Sequence, residues 1–231
     1  MTSGDDTTRS TEVASTLGLG GDGDELDVLE AVERSFDISI LDHEAEFAET
    51  AGQLFDIVIA KASVDPDARR CATAMVFYRL RRAIGDPTMS PRSKLDEIVS
   101  DTPRQLYRRL AQETGLAMPS GSTGRLGSVC LYAMIFLVPA ALATIVAGWT
   151  YWPVATLLAV SAAVFFWLDA RRWHGETLGE VSRKVAHLNF ARLANLGARS
   201  APIDAWAAYA GLLSDITGVD AGRIARETRF I

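Results

Sequence analysis

An all-α fold interrupted by a two-helix transmembrane hairpin is what this 231-residue sequence predicts. Three observations predict it. Residues 126–168 contain no Asp, Glu, Lys or Arg. Elsewhere, apolar residues recur at helical spacing behind helix-starting pairs such as Asp-Pro, Ser-Pro and Thr-Pro. The charge is also sorted by segment: the chain totals −6, with −13 in 1–60, +5 in 61–125 and +2 in 169–231. A chain that is 23% charged and 48% hydrophobic is neither disordered throughout nor collagen-like. Two cysteines are too few for a disulfide scaffold or a Cys-built zinc site.

The elements follow in order. Residues 1–24, rich in Ser, Thr, Gly and Asp, read as a disordered acidic N-terminus. Gly18-Leu19-Gly20-Gly21-Asp22-Gly23 matches G-x-G-x-x-G. No strand pattern precedes it, and Asp22 and Asp24 would repel a pyrophosphate. Asp22, Asp24 and Glu33 imitate part of a calcium loop, but Leu26 and Asp27 occupy positions that need a ligand and a glycine.

Residues 25–84 form a helical region. Its first helix, Glu25–Phe36, carries the stripe Leu26, Leu29, Val32, Phe36. Asp24, Glu25 and Asp27 sit at its start, where they complement the dipole. An extended stretch and a short turn follow. Thr50 then caps a helix over Ala51–Lys61 with the stripe Leu54, Ile57, Val58. Asp65-Pro66 starts a third helix reaching Ile84, with Met75, Val76, Tyr78 and Leu80 on its apolar face. Residues 85–125 are a basic helical linker region. Ser90-Pro91 and Thr102-Pro103 start helices ending near Val99 and Thr114.

The uncharged run, 126–168, divides into spans at 126–147 and 153–168 with an external turn at 148–152. A spanning helix needs about 20 mainly apolar residues. Pro153 fits a first helical position, and Pro139 kinks the first span. Trp149, Tyr151 and Trp152 in the turn, with Trp167 and Trp173 at the other end, mark the two interfaces. Arg125, Arg171 and Arg172 flank the spans on one side, so the positive-inside rule puts both termini in the cytoplasm. The setting expected is a bacterial cytoplasmic membrane. Residues 1–25 are polar and acidic, so the first span is expected to act as its own insertion signal. No strongly ionising residue lies within the spans to mark a transport path.

Residues 169–231 form a C-terminal cytoplasmic helical region. Glu176–Asn195 reads as one helix, Gly197–Ala201 as a break, and Pro202 opens a last helix. Its apolar positions are Ile203, Trp206, Ala210, Leu213 and Ile216.

Here two stretches carry a resemblance. Val28-Leu29-Glu30-Ala31-Val32-Glu33-Arg34-Ser35-Phe36-Asp37-Ile38-Ser39-Ile40, then Thr50-Ala51-Gly52-Gln53-Leu54, resemble the second helix, loop and third-helix start of an acyl carrier protein. That likeness covers Val28–Ala62. Ile203–Ile231, with its closing Gly218-Val219, Ile224 and Thr228-Arg229-Phe230, resembles the first helix and the loop after it. Thr177-Leu178-Gly179-Glu180-Val181 resembles the third-helix start again, as a weak repeat. The resemblance implies an acyl-carrier-like helical module in the cytoplasm, either one permuted bundle in which the two chain regions pack together or two independent helical lobes. It also implies loss of carrier chemistry. Aligned on Phe36, Gly21-Asp22-Gly23 stand where carriers hold the serine that bears phosphopantetheine. No cofactor is therefore expected.

No catalytic or metal-binding residue is singled out. His43, His174 and His187 lie far apart in sequence, and Cys71 and Cys130 read as free thiols. An acidic chain without basic patches interleaved with aromatics excludes nucleic acid as a partner. The expected function is a membrane-anchored, non-enzymatic carrier-like interaction module. Its partners are the lipid bilayer and a cytoplasmic protein that meets the acidic helix at Asp27, Glu30, Glu33 and Arg34. A lipid- or interface-acting enzyme accessory subunit and a small oligomeric transporter or channel component are the alternatives. Sequence leaves the oligomeric state open.

Overall fold

The computed structural model describes residues 13–20, 24–63, 65, 67–119, 157, 160, 161, 163, 164 and 175–231. Its helices are α1 (Asp24–Phe36), α2 (Asp42–Ala45), α3 (Ala51–Lys61), α4 (Ala72–Ile84), α5 (Leu95–Ile98), α6 (Pro103–Thr114), α7 (Leu178–Leu188), α8 (Phe190–Ala194) and α9 (Pro202–Thr217). A short 3-10 turn covers Ala221–Arg223. The described residues are thus mostly helical, as the sequence predicts. The hairpin expected over 126–168 lies outside them except for five positions in helical conformation. Three of the five, Leu157, Val160 and Val164, are exposed at helical spacing. Arg125, Trp149, Tyr151, Trp152, Trp167, Arg171, Arg172 and Trp173 also lie outside the described residues, as do Gly21-Asp22-Gly23. Among the described residues, no helix is long and apolar enough to cross a membrane.

The chain divides into two units, Met1–Arg82 with Ser182–Ile231, and Ala83–Val181. In the first, α1, α3 and α9 share one core. Val28, Val32 and Phe36 meet Leu54, Phe55 and Val58, and Tyr209 and Leu213 close the cluster. Phe36 lies 4.8 Å from Phe190, and Phe55 stands edge-on to Trp206 at 5.0 Å. Regions nearly 200 residues apart in sequence are therefore joined by apolar burial, the dominant favourable force in folding. Ser35 is buried in α1 and donates its hydroxyl to the His187 carbonyl.

Three helices differ from the sequence-based limits, each for an identifiable reason. The helix expected from Asp65-Pro66 begins only at Ala72. Asp65 accepts from the Asp67 N–H at 2.9 Å and donates its own N–H to Ser200. Arg70 then pairs with the 197–199 backbone, receiving the Arg199 N–H at 2.8 Å. The helix expected from Ser90-Pro91 shrinks to α5, because the preceding residues pair with 176–179. The long helix expected over Glu176–Asn195 breaks at Asn189, whose side-chain amide donates to the Val185 carbonyl at 2.7 Å. A side chain that competes for the helix's own carbonyls ends the regular ladder.

The apolar faces shift as well. Leu26 is 69% exposed, and the buried stripe of α1 is Val28, Val32, Ser35, Phe36. Tyr78 in α4 is exposed while Phe77 is buried. In α9, Ile203 and Ile216 face outward, and Ala205, Ala208, Tyr209, Leu212 and Leu213 are buried.

Each unit contains the same hydrogen-bonded junction. In the first, Thr50 caps α3 by accepting from the Gln53 N–H at 3.3 Å, and Gln53 accepts from the Thr50 N–H at 3.1 Å. The next two amides, Ala51 and Gly52, donate to the carbonyls of Thr228 and Arg226, both at 2.9 Å. Phe230 donates to the Glu49 carbonyl at 3.2 Å, and the Thr228 hydroxyl receives the Ala225 N–H at 3.0 Å. In the second, Thr177 and Glu180 cap α7 reciprocally at 2.8 and 3.2 Å. Leu178 and Gly179 donate to Ser93 and Pro91, both at 2.9 Å. Leu95 donates to Glu176 at 3.1 Å, and Ser93 receives the Ser90 N–H at 2.9 Å. Thr50 bridges antiparallel to Arg229 just as Thr177 does to Lys94. Each of these bonds has its counterpart in the other junction, with one offset in residue number for the capped helix start and another for the loop. The helices α1 and α6 correspond too. Each ends in a left-handed residue, Asp37 or Gly115. Each buries the same two positions before that end, Val28 and Val32 or Leu106 and Leu110.

Candidate functional site: an acidic helix beside an apolar groove

The burial of Val28, Val32 and Phe36 fixes which face of α1 meets water. Asp27 and Glu30 are exposed on it, and Arg34 pairs with Glu30 at 3.4 Å across one turn. Such an exposed pair contributes little to stability, about 0.3–0.5 kcal/mol, so its charges remain open to a partner. Glu33 behaves differently. It is half-buried, and its carboxylate accepts the Ile40 N–H at 2.6 Å, which ties down the loop leaving α1. Of the four residues expected to meet a partner, three therefore share the solvent face and Glu33 holds the fold.

Beside this face lies a groove of about 420 Å³. That volume is within the range of small-ligand pockets. Leu54, Val28 and Phe230 form its buried floor, and Leu29 forms one wall. Glu25, Glu46 and Glu49 stand at its rim with one cation, Arg229, which lies 3.5 Å from Glu49. Leu29 comes from α1, Glu46 and Glu49 from the 37–49 connection, and Arg229 and Phe230 from the C-terminal segment. Lys61 of α3 fastens that connection, pairing with Glu44 at 2.5 Å and donating to the Ser39 carbonyl at 2.9 Å. The Glu44 carboxyl is held below its usual range, first by the hydrogen bond from Lys61 and then by the Leu41 N–H. Sequence reading missed the groove, because a helical stripe reports which residues are apolar and not whether a neighbour covers them.

The second unit differs at the corresponding place. The position of Leu29 is occupied by Tyr107, and that of Glu49 by Glu176. Tyr107 is buried and donates its hydroxyl to Glu176 at 2.8 Å. Burial, and then the neighbouring Glu176 carboxylate, raise the Tyr107 pKa well above the usual phenol value. The phenol therefore stays neutral and keeps its donor proton.

Other chemistry-bearing residues stay dispersed. Cys71 is an exposed free thiol and His43 is exposed. His187 packs on Gly211, with Nδ1 3.9 Å from the Asp215 carboxylate and no hydrogen-bond partner there. Among the described residues, no group of three or more His, Cys, Asp and Glu could hold a metal ion. Comparison with protein-family models, curated proteins and solved structures finds no match to this chain.

Proposed function

We propose that this protein is a membrane-anchored interaction module, carrier-like in its helical plan and non-enzymatic, which receives a cytoplasmic protein on α1. The observation that carries the reading is the fixed outward presentation of Asp27 and Glu30 beside an open apolar groove. Charge at a rim steers a partner's approach and sets its register, while an apolar surface supplies the burial. The carrier-like part is supported by the core shared between the Val28–Ala62 and Ile203–Ile231 regions. These are the segments whose sequence resembles the second and third helices and the first helix of a carrier. The membrane part is supported by the 43 uncharged residues of 126–168 and by the exposed Leu157, Val160 and Val164.

The test is an affinity capture from detergent-solubilised membranes with the full chain, comparing wild type with Glu30→Lys and Asp27→Lys. Reversal of either charge is expected to cut partner recovery at least fivefold, and more so at low salt. Glu33→Lys is unsuitable because it would break the bond to Ile40. Recovery unchanged in both variants would end the acidic-helix reading. Release of the chain into the supernatant by alkaline carbonate would end the anchor reading.

A further inference from the structure

The two units share one junction, and they differ at one place in what fills it. In the second unit, the Tyr107 ring lies between α6 and the capped start of α7 and donates to Glu176. In the first, Leu29 and Glu49 hold the corresponding positions, and both line the groove. Leucine is shorter than tyrosine and has no donor, so the space is left open and the Glu49 carboxylate faces Arg229 at 3.5 Å instead of a phenol. The molecule thus contains a template for the missing occupant: an aromatic ring carrying an O–H, directed at a carboxylate. The rim adds a second requirement. Three carboxylates against one arginine favour a positively charged neighbourhood around that ring.

From this we infer that the groove of the first unit binds a tyrosine flanked by basic residues, presented by the protein that docks on α1. The ring fills the space between Leu29, Leu54 and Phe230, and its hydroxyl donates to Glu49 in competition with Arg229. Lysine or arginine beside it meets Glu25 and Glu46. An aromatic ring buries a large area at small conformational cost, which makes it a common anchor in protein interfaces. This inference rests on the interaction-module reading and specifies the partner's anchor.

The experiment uses the full chain in detergent micelles, with methyl-labelled leucine. The probes are the blocked tripeptides Lys-Tyr-Lys, Lys-Phe-Lys and Glu-Tyr-Glu, titrated by NMR. Lys-Tyr-Lys is expected to shift the methyls of Leu19, Leu26, Leu29 and Leu54 saturably. Lys-Phe-Lys should bind at least fivefold more weakly, because Glu49 gains no donor, and Glu-Tyr-Glu weaker still. Leu29→Tyr should place the chain's own phenol in the groove, as Tyr107 does in the second unit. It should abolish the peptide shifts while keeping the helical circular dichroism of wild type. Ala48→Trp provides a second block from the opposite wall. Equal binding of all three peptides, or Lys-Tyr-Lys binding that survives both Leu29→Tyr and Ala48→Trp, overturns the inference. The outcomes also separate it from the broader reading, because Leu29→Tyr leaves Asp27 and Glu30 in place. Partner capture that depends on Glu30 but not on Leu29 would refute the tyrosine anchor alone.

Discussion

Gly52→Ala tests the joining of the two distant chain regions at a close backbone approach. An alanine Cβ there would stand 2.7 Å from the Arg226 carbonyl oxygen and 2.8 Å from the Arg226 Cβ. Ordinary contact begins at 3.4 Å, so Arg226 and its neighbours must withdraw by about 0.7 Å. That retreat stretches the Gly52 N–H bond to Arg226 from 2.9 Å to about 3.6 Å, beyond hydrogen-bonding reach. Overpacking of this kind costs about 1–3 kcal/mol. The lost backbone bond adds about 1 kcal/mol, and the better helix propensity of alanine returns about 1 kcal/mol. The expected net loss is about 2 kcal/mol. It is read from guanidinium unfolding of the purified full chain in detergent, followed by far-ultraviolet circular dichroism. Gly179→Ala, whose Cβ would meet the Pro91 carbonyl oxygen at 2.7 Å, should lose a similar amount. Gly20→Ala is the control: its Cβ meets nothing nearer than the Gly18 carbonyl oxygen at 4.0 Å. Its expected effect is within about 0.5 kcal/mol of zero. A Gly52→Ala protein as stable as wild type, or more stable, would refute the close approach of 226–228 to α3.

Two further outcomes follow from the same junctions. Thr50→Ala and Thr177→Ala each remove a reciprocal cap and should destabilise by about 1 kcal/mol, visible as a lower thermal midpoint for each. Thr50→Ser, which keeps the oxygen, should restore most of the loss. The pH dependence follows from Glu44, whose carboxyl the Lys61 ammonium and the Leu41 N–H hold below the ordinary glutamate range. The folded state binds that proton less tightly than the unfolded chain, so its contribution is complete above the unfolded value and fades as pH falls below about 4.5. Over a thermal-midpoint series from pH 6 to pH 3, Glu44→Gln should show a shallower acid decline than wild type. Parallel curves would remove Glu44 as a contributor.

Much of the helical plan was legible in the sequence. Thr50 and Thr102 mark their helices correctly, because a cap is satisfied within four residues and needs no distant partner. Asp65-Pro66 and Ser90-Pro91 carry an equally good local signal, yet long-range backbone pairing with 197–199 and 176–179 outcompetes it. The repeated start at Thr177 was visible only as a weak echo. The loops that complete the two junctions, 225–230 and 90–95, share a hydroxyl at Thr228 and Ser93, a cation at Arg229 and Lys94, and little else. Their equivalence lies in hydrogen bonds made by backbone atoms, which every residue carries and no motif records. The groove was invisible for a related reason. It depends on the difference between Leu29 and Tyr107, and that difference has meaning only once the two helices are known to correspond.

The Thr228 hydroxyl reaches the Ala14 carbonyl across 214 positions of sequence. Such a stitch has a consequence for biosynthesis. On the ribosome, α1 and α3 emerge long before the strand-like segment around Arg229 that completes their core, and the uncharged run is made in between. The first unit must therefore wait, unfinished and with Phe36 and Phe55 unburied, through whatever happens to residues 126–168. Contacts this distant in sequence form late and leave apolar surface open to capture meanwhile. Folding chaperones acting on nascent chains should accordingly engage this protein through its N-terminal helices and release them only after residue 230 has emerged.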